Sequence, residues 1–338
     1  MRYQRFVMTV LVSALAFGLM AAPSYAASGP AVGNKCVRAS NAARPFNARA
    51  GMIAAANDYF KNSPVPVVSA ADLYASVQAN DGHYQVVDVR SAEHFALGHI
   101  QGAINIPFRT IADDASLVQL DSSKTIVTVC YTGETASMTN MVWNMLGYDT
   151  TTLMFGMSGW VADKAIVGAD IPTGIAAGYP TVKKAVRTHR TYCAPKLSAT
   201  YADVAAAVKG QTKAYFAKGL APIMTAAEVN KVVVTKDRGY QIISVRQKAD
   251  YAVGHIKGAR NIVWTDIANR TRTLDPKKTT IVYCYTGNTG AQAAMFLNLM
   301  GYRTYNMMSG MAGWNNDAAV GGFVGYNPAT VPNFAVVK

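Results

Sequence analysis

The sequence predicts an α/β protein made of two similar repeats, each a parallel sheet covered by helices on both faces. Three observations carry that reading. Short apolar, β-branched runs alternate with segments of helical period, as parallel strands joined by crossover helices require. The alternation occurs twice with matching residues: Tyr84-Gln85-Val86-Val87-Asp88-Val89-Arg90 returns as Tyr240-Gln241-Ile242-Ile243-Ser244-Val245-Arg246. Gly98-His99-Ile100-Gln101-Gly102-Ala103 returns as Gly254-His255-Ile256-Lys257-Gly258-Ala259. Finally, Cys130-Tyr131-Thr132-Gly133-Glu134-Thr135-Ala136 returns as Cys284-Tyr285-Thr286-Gly287-Asn288-Thr289-Gly290. Each copy of that stretch follows a buried-strand run, Thr125 to Val129 or Thr279 to Tyr283, and leads into a helical segment.

The elements follow in order. Arg2 and Arg5, the apolar run Phe6 to Met20 and the small residues Ser24 and Ala26 read as a signal peptide cleaved after Ala26. The apolar run is too short for a spanning helix, and no transmembrane segment is expected after cleavage. The expected divisions are a signal peptide (1–26), an N-terminal arm and helix (27–60), a first domain (61–170), a linker (171–200), a second domain (201–325) and a tail (326–338). Within each repeat a helix comes first, about Ala48 to Phe60 or Tyr201 to Phe216. Ser69 or Thr225 then caps a short amphipathic helix. Strands follow at Gln85 to Val89 and Ile104 to Ile106, or Gln241 to Val245 and Asn261 to Val263. The cysteine strand and loop come next, and a last strand lies near Thr151 to Phe155 or Thr304 to Met308. The linker, with Pro172, Gly174, Gly178, Pro180 and Pro195, reads as a connector or exposed arm. The tail, with Pro328 and Pro332, should pack loosely or wrap.

Length and charge bound the function. The 338 residues suit two ordinary domains, and 51% hydrophobic residues suffice for two cores. Formal charge is +13, unevenly spread: 27–170 holds 9 basic and 12 acidic residues, 171–338 holds 21 and 7. A basic second half attracts anionic small molecules or an acidic surface. The lysines are scattered and no nucleic-acid motif is present, so nucleic acid is not an expected partner. The four cysteines, Cys36, Cys130, Cys193 and Cys284, show neither CxxC nor CxxCH spacing. No metal and no organic cofactor is implied. Cys36 and Cys193 are the natural pair if a disulfide exists in the oxidising compartment.

A cysteine where a strand ends and a helix begins lies in a nest of backbone N–H groups at the positive end of a helix dipole. Such a site stabilises an anion and predicts a nucleophilic thiolate of lowered pKa at Cys130 and Cys284. Loop residues Tyr131 to Ala136 and Tyr285 to Gly290 would form the cradle, with hydroxyls from Thr132, Thr135, Thr286 and Thr289. Tyr131 and Tyr285 either line the pocket mouth or cover the loop. Glu134 opposes the first thiolate if it faces inward, whereas Asn288 is neutral. Cys284 is therefore expected to be the more reactive thiol. Met154, Met157, Met307, Met308 and Met311 read as packing rather than a copper(I) site.

These residues resemble the rhodanese (sulfurtransferase) superfamily in a tandem arrangement. Asp88-Val89-Arg90, Glu93 and Gly98-His99-Ile100-Gln101-Gly102-Ala103-Ile104-Asn105-Ile106-Pro107 are similar to its N-terminal signature. The second copy departs at Ser244 and Val263. The resemblance implies two rhodanese-like domains, and a sulfurtransferase that moves sulfane sulfur through a cysteine persulfide. It implies structural roles for Asp88, Arg90, His99, Arg246 and His255. Loops of six residues, Cys130 to Thr135 and Cys284 to Thr289, match sulfur-handling members rather than phosphatases. The family's usual arginine at the sixth position is Thr135 or Thr289 here, which removes a charge for thiosulfate. Expected partners are a small sulfur-containing or anionic substrate and a periplasmic redox or sulfur-acceptor protein, in the periplasm or medium. Two alternatives stand beside this: a non-catalytic module binding sulfur species, oxyanions or a redox partner, and a thiol redox or selenium-oxyanion enzyme.

Overall fold

In a computed structural model that describes residues 46–62, 67–168, 176–187, 190–219, 222–315, 317–321 and 325–338, the alternation becomes two five-stranded sheets. The leader and Cys36 lie outside the described residues. The first repeat runs α1 (Ala48–Asn62), β1 (Val67–Val68), α2 (Ala70–Ala79), β2 (Tyr84–Asp88), α3 (Ala92–Leu97), β3 (Ile104–Asn105), α4 (Asp114–Leu117), β4 (Thr125–Val129), α5 (Glu134–Met145), β5 (Thr150–Leu153), α6 (Gly156–Trp160) and α7 (Lys164–Val167). The second runs α8 (Val204–Ala217), β6 (Ile223–Met224), α9 (Ala226–Thr235), β7 (Tyr240–Ser244), α10 (Lys248–Val253), β8 (Arg260–Asn261), a 3-10 helix (Trp264–Thr273), β9 (Thr279–Tyr283), α11 (Asn288–Leu299), β10 (Thr304–Met307), α12 (Gly310–Trp314) and α13 (Ala318–Gly321).

The strand orders are β1-β5-β4-β2-β3 and β6-β10-β9-β7-β8, with every pairing parallel. The cysteine strands β4 and β9 are thus central and covered on both faces, and every residue after the first of each is buried, Thr128 and Thr280 included. Register places Asp88 beside Val129 and Ser244 beside Tyr283, one residue before each cysteine. Local signals set the helix starts. The Ser69 hydroxyl accepts from Asp72 N–H, and Thr225 forms a reciprocal capping box with Glu228.

The repeats exchange their flanking elements. Helix α1, which precedes the first sheet, packs on the second repeat: the Phe60 ring lies 4.8 Å from Trp264 and 6.2 Å from Phe296. Helix α8 returns the contact. Phe216 lies 5.0 Å from Phe108, and Lys209 and Lys213 pair with Asp114 and Asp113 at 2.8 and 3.3 Å. The chain after each repeat crosses as well. Linker residues dock on the second repeat, where Val182 pairs its backbone with His255 and Trp314 Nε1–H donates to Pro180 O. The tail docks on the first: Val337 pairs with His99, Trp160 Nε1–H donates to Ala335 O, and Phe334 stacks 3.9 Å from Tyr74. Most side chains of 176–187 are exposed, as expected of an arm, and its contact with the second repeat runs through backbone groups and the Tyr179 ring, 4.9 Å from Trp314. All described residues belong to one compact unit of the chain, Ala39–Lys338, and one apolar core draws residues from both repeats.

Candidate active site

Both cysteines lie just past the C-terminal ends of central strands, where open parallel sheets present their sites. The next three residues turn sharply. Gly133 and Gly287 take φ of 98° and 104°, a region that a Cβ disfavours. This turn aims the Gly133 N–H at Cys130 Sγ and the Gly287 N–H at Cys284 Sγ, both at 3.1 Å. Helices α5 and α11 begin at the following residue, so their N-termini face the sulfurs. The loops are clamped from behind by α6 and α12. Met157 N–H and Ser158 N–H donate to Cys130 O and Tyr131 O, while Met311 N–H and Ala312 N–H donate to Cys284 O and Tyr285 O. A Cβ on Gly156 would meet Cys130 O at 2.4 Å, so that clamp requires glycine.

Each sulfur is buried, at 1% exposure, while Tyr131, Thr132 and Thr135, and likewise Tyr285, Thr286 and Thr289, are half-buried. Burial pushes the Cys130 thiol up from its ordinary value and Glu134 adds to this; the Thr135 hydroxyl and the backbone at Ala136 and Thr132 oppose it. The expectation of a lowered pKa fails at Cys130 because the loop is closed over by the other repeat, and desolvation exceeds the hydrogen bonds.

The closure comes from the fourth loop residue of each copy. Glu134 and Asn288, expected among the binding residues, point across to the opposite loop. The Glu134 carboxylate accepts from Ser309 N–H at 3.1 Å and from the Thr132 hydroxyl, and its Oε1 lies 2.8 Å from where a Cβ on Gly287 would be. Burial pushes its own pKa up. Asn288 Nδ2–H donates to Ser137 Oγ at 3.1 Å and Gly133 O at 3.4 Å. The two cysteine loops therefore interlock.

The tyrosines leave the loops and fasten them to the neighbouring helices. Tyr131 Oη lies 2.9 Å from His94 Nδ1 and accepts from Ser91 N–H. Tyr285 Oη donates to Asp250 and accepts from Gln247 N–H, and its pKa is pushed up to about 12, by burial first and the Asp250 carboxylate next. His94 and Asp250 were not singled out in the sequence, although they hold matching places in the two repeats.

Behind the loops, Arg90 forms a buried ion pair with Asp88 at 2.7 Å and donates to Gly98 O and Ile166 O. Arg246 is equally buried but has no carboxylate partner among the described residues. It donates to Val320 O and Gly254 O and lies against the Tyr283 and Tyr285 rings, 5.7 and 5.9 Å from their centroids. Its Nε and the Ser244 hydroxyl are left without a hydrogen-bond partner among the described residues. His99 and His255 bond backbone carbonyls, Phe95 O at 3.0 Å and Tyr251 O at 2.8 Å, and bridge by backbone to the straps at Val337 and Val182. Sequence reasoning also missed Asn306. Its buried amide has no partner among the described residues, and its Oδ1 would be 2.5 Å from a Cβ at Gly290. The first repeat has Ala136 there, over a bonded cluster of Thr128, Asn140 and Thr152.

Cys193 is disulfide-bonded, while Cys130 and Cys284 are free thiols. Among the described residues no cluster of three or more His, Cys, Asp or Glu is placed to hold a metal ion, and no helix is long and apolar enough to cross a membrane.

The rhodanese-like domain model matches residues 69–163 and 225–317, more than half of the chain. The chain belongs to the rhodanese-like family. It carries the domain in tandem. A thiosulfate sulfurtransferase GlpE of Pseudomonas fluorescens (strain SBW25) is 32% identical over 80 residues, covering 23% of this rhodanese-like chain and 73% of the relative. A thiosulfate:glutathione sulfurtransferase of Saccharomyces cerevisiae is 29% identical over 112 residues, covering 30% and 81%. Among solved structures, a rhodanese-related protein of Thermoplasma volcanium aligns with 25% identity and TM-score 0.24, covering 27% of this chain and 85% of that one.

Proposed function

We propose that this protein is an exported sulfurtransferase that carries sulfane sulfur as a persulfide on Cys130 and Cys284. The observation that carries the reading is the pair of backbone N–H groups, Gly133 and Gly287, each 3.1 Å from a cysteine sulfur at the start of a helix. Relatives named as sulfurtransferases support it. Export rests on the leader pattern of 1–26.

The chemistry proceeds in two displacements. The cysteine thiolate attacks the outer sulfur of the donor. A new S–S bond forms, the donor's S–S bond breaks, and the leaving group departs with the electron pair, as sulfite when the donor is thiosulfate. An acceptor nucleophile then attacks the outer sulfur of the persulfide and restores the thiolate, giving thiocyanate when the acceptor is cyanide. Between these steps the negative charge stays on sulfur, where the loop N–H groups and the hydroxyl of Thr135 or Thr289 hold it. Thr135 and Thr289 supply a dipole but no charge, so a polysulfide is the better donor and thiosulfate the poorer.

The test is to incubate the reduced protein with thiosulfate or polysulfide and map added mass by peptide, with Cys130→Ser and Cys284→Ser as controls. One extra sulfur on either cysteine, removed by cyanide, is the expected result. No added sulfur from any donor overturns the reading.

A further inference from the structure

A cavity lined by none of the cysteine-loop residues is built from positive charge. It has a volume of about 290 Å³ and runs along the edge strand of the second sheet. Four cations from four separate segments line it: Arg187 from the linker strap, Lys248 from the start of α10, Arg260 from β8 and Arg270 from the 3-10 helix. Asp266 is its one carboxylate among the described residues. None of the four cations is in an ion pair among the described residues. Asn261 and Thr273 add polar groups to the wall.

The strap sets this cavity. Val182 pairs with His255, Val186 N–H donates to Tyr251 Oη, and Arg187 is thereby brought over the sheet edge. Arg260 is half-buried and anchored, donating to Thr273 O and Gln241 Oε1. Burial pushes its pKa down, and Tyr192 nearby opposes the shift. The first repeat has Ile104 at the place of Arg260 and Ala92 at that of Lys248. The cavity is thus particular to the basic half. Like charges converge on a small concave space only against their mutual repulsion, and that repulsion is relieved by a small anion able to accept several charge-assisted bonds.

We infer that the cavity lined by Arg187, Lys248, Arg260 and Arg270 binds a small oxyanion bearing at least two negative charges, at a site separate from the cysteine loops. Sulfur oxyanions and phosphates share that chemistry, and the inference holds whether or not the protein transfers sulfur.

Calorimetric titration of the Cys130→Ser/Cys284→Ser protein with thiosulfate, with sulfate and with inorganic pyrophosphate, in chloride buffer near physiological ionic strength, tests it. One saturable site per chain is expected for at least one of these probes, weakened tenfold or more in Arg187→Gln/Arg270→Gln. Both residues are exposed, so an unchanged melting temperature of the apo variant shows that it has folded. The preferred probe tells sulfur oxyanions from phosphates. Absence of saturable binding by all three, or binding undiminished in the double variant, overturns the inference.

Discussion

A carboxylate beside a nucleophilic sulfur opposes its ionisation, and Glu134 is placed to do so at Cys130 while its carboxylate serves the other repeat. Charge and strut are separable. Gln at this position keeps an acceptor for Ser309 N–H and removes the negative charge. Glu134→Gln should therefore raise the alkylation rate of Cys130 at neutral pH by about three- to tenfold, the scale of one nearby charge. The pH–rate profile of Cys130, measured with Cys284→Ser in the background, checks this; an unchanged profile rejects it. Glu134's pKa is raised in the folded protein, so its contribution is fully present below the ordinary carboxylate value and is lost as pH rises through the folded value. Glu134→Gln should consequently match or exceed the parent in melting temperature at neutral pH. Substitution in the buried pair behind the loop has the opposite effect on stability. Asp88→Ala leaves the Arg90 guanidinium buried without its carboxylate and should cost about 3–5 kcal/mol in urea unfolding.

At the scale of elements, which repeat each strap meets is the part that sequence patterns did not announce. Strand runs, caps and cysteine loops were legible because each is a local signal: β-branched runs, Ser69 and Thr225 before a helix, Gly133 and Gly287 in a tight turn. The exchange was not, because periodicity tells which face of α1 is apolar and not which repeat it meets. The same limit hid Glu134. Its spacing from Cys130 said that it stood near the sulfur, but its direction depends on Ser309, which lies far along the chain. The tail makes a test of exchange. Phe334 stacks on Tyr74 and lies 5.1 Å from Trp160, which in turn donates to Ala335 O. Phe334→Ala should destabilise the protein by about 1–3 kcal/mol, since the ring is half-buried. It should also shift Trp160 fluorescence to the red, although the substitution lies beyond the second domain in sequence. An unshifted Trp160 emission would mean that the tail does not cover the first repeat in solution.

For the whole molecule, exchange of helices and straps removes the usual boundary between tandem domains. Two domains joined only by a linker unfold independently, because few contacts cross between them. Here Phe60 belongs by sequence to the first repeat and packs against Trp264 and Phe296 of the second, in a core that also holds Met141, Val142 and Met295. The loops interlock through Glu134 and Asn288 in the same region. Losing either sheet exposes apolar surface on the other, so the free energies of the two are coupled. Unfolding in urea should follow one transition, coincident by far-ultraviolet dichroism and tryptophan emission. Phe60→Ala, which empties a fully buried site, should cost about 3–5 kcal/mol and move that single transition as a unit. A variant that splits the curve into two steps, with the second repeat melting first, would show that the repeats are separable and that the shared core contributes little to either.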